Sequence, residues 1–362
     1  MKTYRAAVIG CSRMGGFIDN EVVGARKHVP PYSHGAGFFA CDRTDLVACA
    51  DPRTDVMAMF GERYHIPKTH QYTDYREMIA RENLDIVSVA TQPEPRAEII
   101  IHAADHGIKA IYAEKALCAS LPEARAIVDA LQRNGTILNL GTNRRWSALY
   151  DGMKAELDDG DLGPLKQLVI YMTGTLFNTG SHIFDLLMRL NGDAPVAWVQ
   201  GTLPKGGDSL DGDLLLEDPL GEGTIHFANG VTAYALNTGR GLEVDAICEQ
   251  GVLSALNDGQ EFMLRKRVVV DDRGRTALET VPFPEVEPAS STLALIEDLV
   301  HALDTGEAPR GGSAGQIAYA NTEVIFAMIE SHRRGGARVT LPIESSVRLA
   351  RNSKPHQPQY TA

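Results

Sequence analysis

Hydrophobic positions in the first 140 residues alternate between two textures. Short, mainly apolar runs lie at Ala6–Gly10, Leu46–Asp51, Ile86–Ala90, Ile108–Ala113 and Thr136–Leu140. Rich in β-branched residues and bounded by turn formers, they read as buried strands. Between them, Thr54–Tyr64, Asp74–Glu82, Arg96–His106 and Pro122–Asn134 read as helices. The last places Ala124, Ile127, Val128 and Leu131 on one face and stops at Gly135. Such alternation predicts a parallel sheet with helices on both faces, whose ligands bind at the carboxyl ends of the strands.

From about Asp151 the pattern changes. Leu168–Gly174, Ala197–Gly201, Gly223–Ala228, Val231–Asn237, Val244–Glu249, Val252–Leu256 and Glu261–Arg265 are short runs punctuated by Asn229-Gly230, Gln250-Gly251 and Asp258-Gly259. These pairs are hairpin signals and predict an antiparallel meander. Two helices follow. Leu293, Ile296, Leu299, Val300 and Leu303 form one apolar stripe ending at Gly306; Ile317, Ala320, Val324 and Met328 form another ending at Gly335. The polar tail from Ser345 is expected to be mobile or to lie on a partner subunit. The fold class is α/β: a Rossmann-type parallel sheet over 1–143, then an α+β domain over 144–362 with an open, largely antiparallel sheet for substrate binding and oligomerisation.

Composition narrows the partners. With 362 residues, 44% hydrophobic and 23% charged, the chain fits two globular domains. A net charge of −12 argues against nucleic acid, because neutralising phosphates needs basic surface. The apolar run in MKTYRAAVIGC stops after about five residues, short of a signal sequence (~7–15) or a spanning helix (~20), and no membrane partner is expected. Cys11, Cys41, Cys49, Cys118 and Cys248 are odd in number, scattered and without a C-x-x-C pair. They fit reduced thiols in the cytoplasm, with neither a disulfide framework nor a metal site.

The chemistry starts after the first strand. In AAVIGCSRMGGFIDNE (Ala6–Glu21), Gly10 and Gly15 hold two places of the G-x-G-x-x-G dinucleotide fingerprint, and Ser12 stands at the middle one. A serine adds a small side chain whose hydroxyl can donate to phosphate, and a helix N-terminus behind it supplies N–H groups. Gly10, Ser12, Arg13, Met14 and Gly15 are therefore expected around a pyrophosphate. Asp51 ends the second strand, where a carboxylate takes ribose hydroxyls. It lies 36 residues after Gly15, against roughly 20 in the fingerprint. An excursion over Lys27–Thr44 accounts for the excess, and its His28 and His34 are read as plain surface residues. A carboxylate repels a 2′-phosphate and favours NAD, while Arg13 and Arg53 nearby leave NADP open. Thr91, Gln92 and Pro93 follow the Ile86–Ala90 strand and Glu114 and Lys115 the Ile108–Ala113 strand, at the nicotinamide end.

Taken in order, several motifs resemble the Gfo/Idh/MocA oxidoreductases, the group of glucose-fructose oxidoreductase and inositol dehydrogenase. They are Asp51-Pro52, Glu114-Lys115-Ala116, GTNRRW (Gly141–Trp146), GSHIFDLL (Gly180–Leu187) and LVHALDTGEAPRG. The resemblance runs over nearly the whole chain. It implies NAD(P)-dependent hydride transfer at a carbinol or ketone carbon of a sugar, cyclitol or derivative, in a homodimer or homotetramer. Lys115 matches the lysine beside the nicotinamide that contacts the reacting oxygen. His182 matches the catalytic histidine, four residues after a position that is commonly aspartate and here is Asn178. Ser12, Ala116 and Arg96 are further departures.

The residue types agree with those roles. Oxidising a secondary alcohol needs a base for the hydroxyl proton and a cation near the developing alkoxide. An unperturbed histidine titrates near ~6.5, which suits His182 as the base, and Lys115 brings the cation. Asn178 accepts no proton, but with Thr179 it can orient a substrate hydroxyl or the histidine. Arg144, Arg145 and Trp146 read as a substrate wall, the alternative being domain-interface packing. Two rival functions follow from the Asn178 and Ala116 departures: redox-neutral sugar lyase or glycosidase-type chemistry on bound NAD, and a non-catalytic sensor. GGSAG (Gly311–Gly315) matches a nucleophile elbow formally, but a loop precedes it, so Ser313 reads as a helix N-cap.

Overall fold

The computed structural model describes residues 2–24 and 28–351. The apolar runs of the first half become strands β1 (Tyr4–Ile9), β2 (Thr44–Ala50), β3 (Gln71–Tyr72), β4 (Ile86–Val89), β5 (Ala110–Ala113) and β6 (Ile137–Leu140). All pair in parallel, in the order β3-β2-β1-β4-β5-β6. This doubly wound order reverses at β1, which opens a crevice at the carboxyl ends of β1 and β4. Strand β3 has two residues, too few to leave an apolar run in the sequence. Helices α1 (His34–Ala40), α2 (Thr54–Arg63), α3 (Tyr75–Glu82), α4 (Pro93–Asp105) and α5 (Leu121–Asn134) connect the strands. Asp74 caps α3 by accepting the Arg76 N–H, and Ser120 caps α5 by accepting that of Glu123.

After α6 (Ala148–Asp158) comes a second sheet. Its strands are β7 (Leu165–Tyr171), β8 (Val196–Lys205), β11 (Leu220–Phe227), β12 (Thr232–Leu236), β13 (Glu243–Cys248), β14 (Gly251–Leu256), β15 (Glu261–Val269), β16 (Thr276–Val281) and β17 (Val339–Thr340). Helix α7 (Ser181–Leu190) links β7 to β8, and a small hairpin, β9 (Leu210–Asp211) with β10 (Leu214–Leu215), precedes β11. The order is β16-β15-β14-β13-β7-β12-β11-β8-β17. It is not one antiparallel meander. Strand β7 pairs antiparallel with β13 but parallel with β12, because α7 carries the chain from β7 past that neighbour to β8.

Helices α8 (Ser291–Thr305) and α9 (Gln316–Arg333) lie between β16 and β17, and a last short strand, β18 (Arg348–Leu349), follows. By contact, one compact unit comprises Met1–Trp146, Ala289–Thr322 and the chain from Arg348; the other comprises Ser147–Pro288 and Glu323–Val347. Although α8 follows the second sheet in sequence, it packs with the first. Its Leu295, Ile296, Leu299 and Val300 share one buried cluster with Phe38, Phe60, Tyr112 and Trp146.

Three local expectations are corrected. The Lys27–Thr44 excursion contains helix α1, capped where Ser33 Oγ accepts the Ala36 N–H, and buries His34, Gly35, Gly37 and Phe38. Lys27 itself lies outside the described residues. The tail from Ser345 is anchored at first: Ser345 donates to Glu330 at 2.7 Å, Val347 is buried, and the Leu349 N–H donates to Ala119 O. Alternating small and apolar side chains there find partners that a polar average hides; residues 352–362 lie outside the described residues. Ser313 sits in a turn three residues before α9 begins, so it is neither the N-cap nor preceded by a strand. Among the described residues no helix is long and apolar enough to cross a membrane. All five cysteines are free and buried.

Candidate active site

Strand β1 ends at Ile9 and the chain turns at once. Gly10 adopts φ +93°, and a Cβ there would lie 2.9 Å from the Ala90 carbonyl carbon and oxygen. On Gly15 a Cβ would lie 1.9 Å from the Gly10 carbonyl oxygen. Only glycine fits either place. Ser12 is different. Its φ is −83°, so the middle position has no need of glycine's left-handed freedom. Arg13–Phe17 then forms one π turn and Ile18–Asn20 a 3-10 turn, not the continuous helix expected. The Gly15-Gly16 pair weakens helix formation. Gly16 also presses against Phe60 and Tyr64, whose hydroxyl donates to Gly16 O at 2.7 Å.

Asp51 is buried at the end of β2 and ties this turn down. Its Oδ2 accepts the Cys11 N–H at 2.8 Å and its Oδ1 the Arg53 N–H at 2.9 Å. A carboxylate has about four acceptor sites, so Asp51 keeps capacity for further donors. The neighbouring cations are already answered by acids: Arg13 grips Glu21 at 2.7–2.9 Å, and Arg53 meets Asp55 at 3.2 Å. The local balance stays negative, which favours NAD over NADP. Asp51→Ala is therefore expected to raise the NAD dissociation constant about tenfold more than that of NADP. Titrating both cofactors checks this; since Asp51 also supports the turn, the ratio is the readout, and an unchanged ratio would remove its ribose role.

The ends of β4 and β5 are bound together. Arg96, on α4, is 1% exposed and donates to Thr91 O and Ala116 O, one carbonyl from each strand-end loop. Burial pulls its pKa down to about 10, against the pull of Glu114. Gln92 precedes α4 as its N-cap residue and Pro93 opens it. Glu114 is buried just after β5. Burial alone would raise its pKa, but the hydrogen bond from His34, with the Lys115 and Arg96 charges, holds it below the usual range. Its Oε2 accepts the Lys115 N–H at 3.1 Å, and Lys115 itself is half-buried. Replacing Arg96 by Leu strands two buried carbonyls and weakens the compensation of Glu114. A loss of about 3 kcal/mol in urea unfolding is expected; a loss below about 1 kcal/mol would show that the bridge is dispensable.

Sequence reading missed His34. It is fully buried, not a surface residue: Nδ1 lies 2.6 Å from Ser88 Oγ, Nε2 lies 3.3 Å from Glu114 Oε1, and the ring stacks on Tyr112 at 3.8 Å. The available signal was local: Ser33 as a cap, with His34 and Phe38 one turn apart on one face. His28 remains half-exposed beside the Tyr32 ring.

In the second unit, Leu176–Gly180 forms another π turn that runs directly into α7. Asn178 and Thr179 belong to the turn and His182 to the first turn of α7, so the histidine follows Asn178 by four residues in one continuous helical stretch. Asp218, which sequence reading did not single out, holds the turn. Its carboxylate accepts the N–H groups of Phe177 (2.9 Å) and Asn178 (3.0 Å) and the Thr175 hydroxyl. No local pattern marks Asp218, because it lies 40 residues away from Asn178.

The GTNRRW stretch divides. Trp146 is buried and donates from Nε1 to Leu140 O at 3.2 Å, and Arg145 is buried with Nη1 3.4 Å from Arg310 O. Arg144 is half-buried.

A reversal point with a glycine-limited turn, a carboxylate ending β2 and a lysine after β5 define a dinucleotide-binding doubly wound protein. Residues 4–142 match the model of the Gfo/Idh/MocA oxidoreductase family, described as an NAD-binding Rossmann fold. The chain is 28% identical over 163 residues to D-apiose dehydrogenase of Paraburkholderia graminis, covering 45% of this chain and 38% of that protein. It is 26% identical over 313 residues to myo-inositol 2-dehydrogenase of Thermotoga maritima, covering 79% and 89%. The matches to the first curated relatives span about half of those proteins' length or less. In fold, the chain resembles an inositol dehydrogenase homolog from Azotobacter vinelandii, solved with NADH and myo-inositol. The TM-score is 0.71 at 17% identity, over 94% of this chain and 98% of that one.

Proposed function

We propose that this protein is an NAD-dependent dehydrogenase of a secondary alcohol in a sugar, cyclitol or related polyol. The observation that carries the reading is the β1 turn: Gly10 and Gly15 leave room where a Cβ would meet backbone, and Asp51 anchors that turn from the end of β2. Gly10, Ser12, Arg13, Met14 and Gly15 hold the pyrophosphate; Asp51 and Arg53 take the ribose; Thr91, Gln92, Pro93, Glu114 and Lys115 border the nicotinamide. NAD, when bound, supplies the hydride acceptor. The inositol and apiose dehydrogenases among the relatives support a polyhydroxy substrate.

The chain's own groups manage the proton and the charge. His182 takes the hydroxyl proton, and the Lys115 ammonium stabilises the oxygen as negative charge gathers on it. Asn178 and Thr179 orient hydroxyls or the histidine ring; an amide does this without competing for the proton. Arg144, half-buried, faces the substrate with Arg145 and Trp146 packed behind it as the wall's buried part. We further read the protein as a cytoplasmic homodimer or homotetramer built on the second sheet, where Met263 and Val269 of β15 and the adjacent Val270 are exposed.

A screen of cyclitols, aldoses, uronates and their derivatives at saturating NAD, followed at 340 nm, tests the reading. Steady NADH formation with at least one polyol is expected. Product without net NADH would point to redox-neutral chemistry, and cofactor binding with neither to a sensor; either would overturn the dehydrogenase.

A further inference from the structure

Behind Lys115 lies a buried polar chain that ends on Glu114 and whose first two members, Ser88 on β4 and His34 at the start of α1, the roles above leave unused. We propose that His34 is a positioning residue for the reaction, a neutral imidazole whose Nε2–H holds the Glu114 carboxylate against the Lys115 backbone. This rests on the dehydrogenase reading for its kinetic consequence, though not for its geometry.

The protonation pattern follows from the partners. Glu114, ionised, only accepts, so the proton between it and His34 sits on Nε2. A neutral imidazole then accepts at Nδ1, and the Ser88 hydroxyl donates across 2.6 Å. Burial lowers the His34 pKa, Glu114 opposes that, and Arg96 adds to it, which keeps the ring neutral. The titratable groups that face the ring are Glu114, hydrogen-bonded to it, the un-ionised Tyr112 stacked on its face, and the Arg96 charge, with Lys115 acting on Glu114. The other carboxylate oxygen, Oε2, receives the Lys115 N–H at 3.1 Å. One imidazole thus fixes the orientation of Glu114 and, through it, the main chain from which the catalytic lysine projects. Gly141 keeps the space open, for a Cβ there would lie 3.2 Å from Glu114 Oε1. The excursion carries α1 to this place, where the same helix buries Phe38 in the core and His34 in the polar chain.

Two substitutions separate positioning from packing. His34→Phe keeps a ring to stack on Tyr112 but removes the donor; His34→Gln loses the ring but keeps an N–H donor. Positioning predicts kcat down about tenfold or more in H34F, restored to within about threefold of wild type in H34Q, with KM for NAD little changed in both. Packing alone predicts the reverse order, with H34F at or above H34Q per folded molecule, and that result would overturn the proposal. A second readout needs no turnover. Amide hydrogen exchange at Lys115, followed by NMR, should be about tenfold faster in H34F than in wild type or H34Q. Equal exchange in wild type and H34F would overturn the proposal. If wild-type protein oxidises no polyol, the dehydrogenase reading falls by itself and the exchange rates still decide the role of His34.

Discussion

Lys115→Ala and His182→Ala are each expected to cut turnover by about 10²–10⁴-fold while NAD still binds. The size follows from what each group supplies. A positioned base contributes about 10²–10⁴ to proton transfer, and removing one charge-stabilising donor costs about 10²–10³. Cofactor affinity should survive because the grip on NAD is assigned mainly to the Gly10–Gly15 turn and Asp51, in a different part of the sequence. Steady-state rates with the best polyol, paired with an NAD titration and a thermal melt, check this. Near-normal rates in both variants would sink the assignment. Collapse of NAD binding in Lys115→Ala would instead make that lysine a cofactor ligand first.

Gly15→Ala should weaken NAD binding by about 10- to 100-fold, and the neighbouring Ser12→Gly should change it by no more than a few-fold. A Cβ at residue 15 would lie 1.9 Å from the Gly10 carbonyl oxygen, a main-chain atom that no rotamer change removes. The turn must therefore open, and forced overpacking of this kind costs about 1–3 kcal/mol. Ser12 already sits at φ −83°, so glycine there relieves nothing. Calorimetric titration of NAD into both variants measures the contrast. Equal effects would mean that the turn is not the pyrophosphate element.

These cases also show what could be read from sequence. The strand runs, Asp51 and the β5-end lysine were legible because burial on both faces of a parallel sheet writes continuous apolar segments, and a crevice residue must end one of them. That the Ser12 position asks for no left-handed backbone is visible only as a backbone angle. His34 was misread because its meaning comes from residues 54 and 80 positions away, Ser88 and Glu114. Asp218 and the bridging Arg96 were hidden likewise: a hydrogen bond between distant segments leaves no periodicity. Helix α8 had a clear apolar stripe, but a stripe does not say which sheet it will cover. The parallel pairing of β7 with β12 was invisible because hairpin turns report only on consecutive strands.

The central claim is net hydride transfer from a carbinol carbon to NAD. It is tested most directly by supplying the best polyol of the screen deuterated at the carbon that is oxidised, and weighing the cofactor by mass spectrometry. The account predicts one deuterium in each NADH and one ketone formed per NADH. Converted substrate with the cofactor recovered as unlabelled NAD would contradict it.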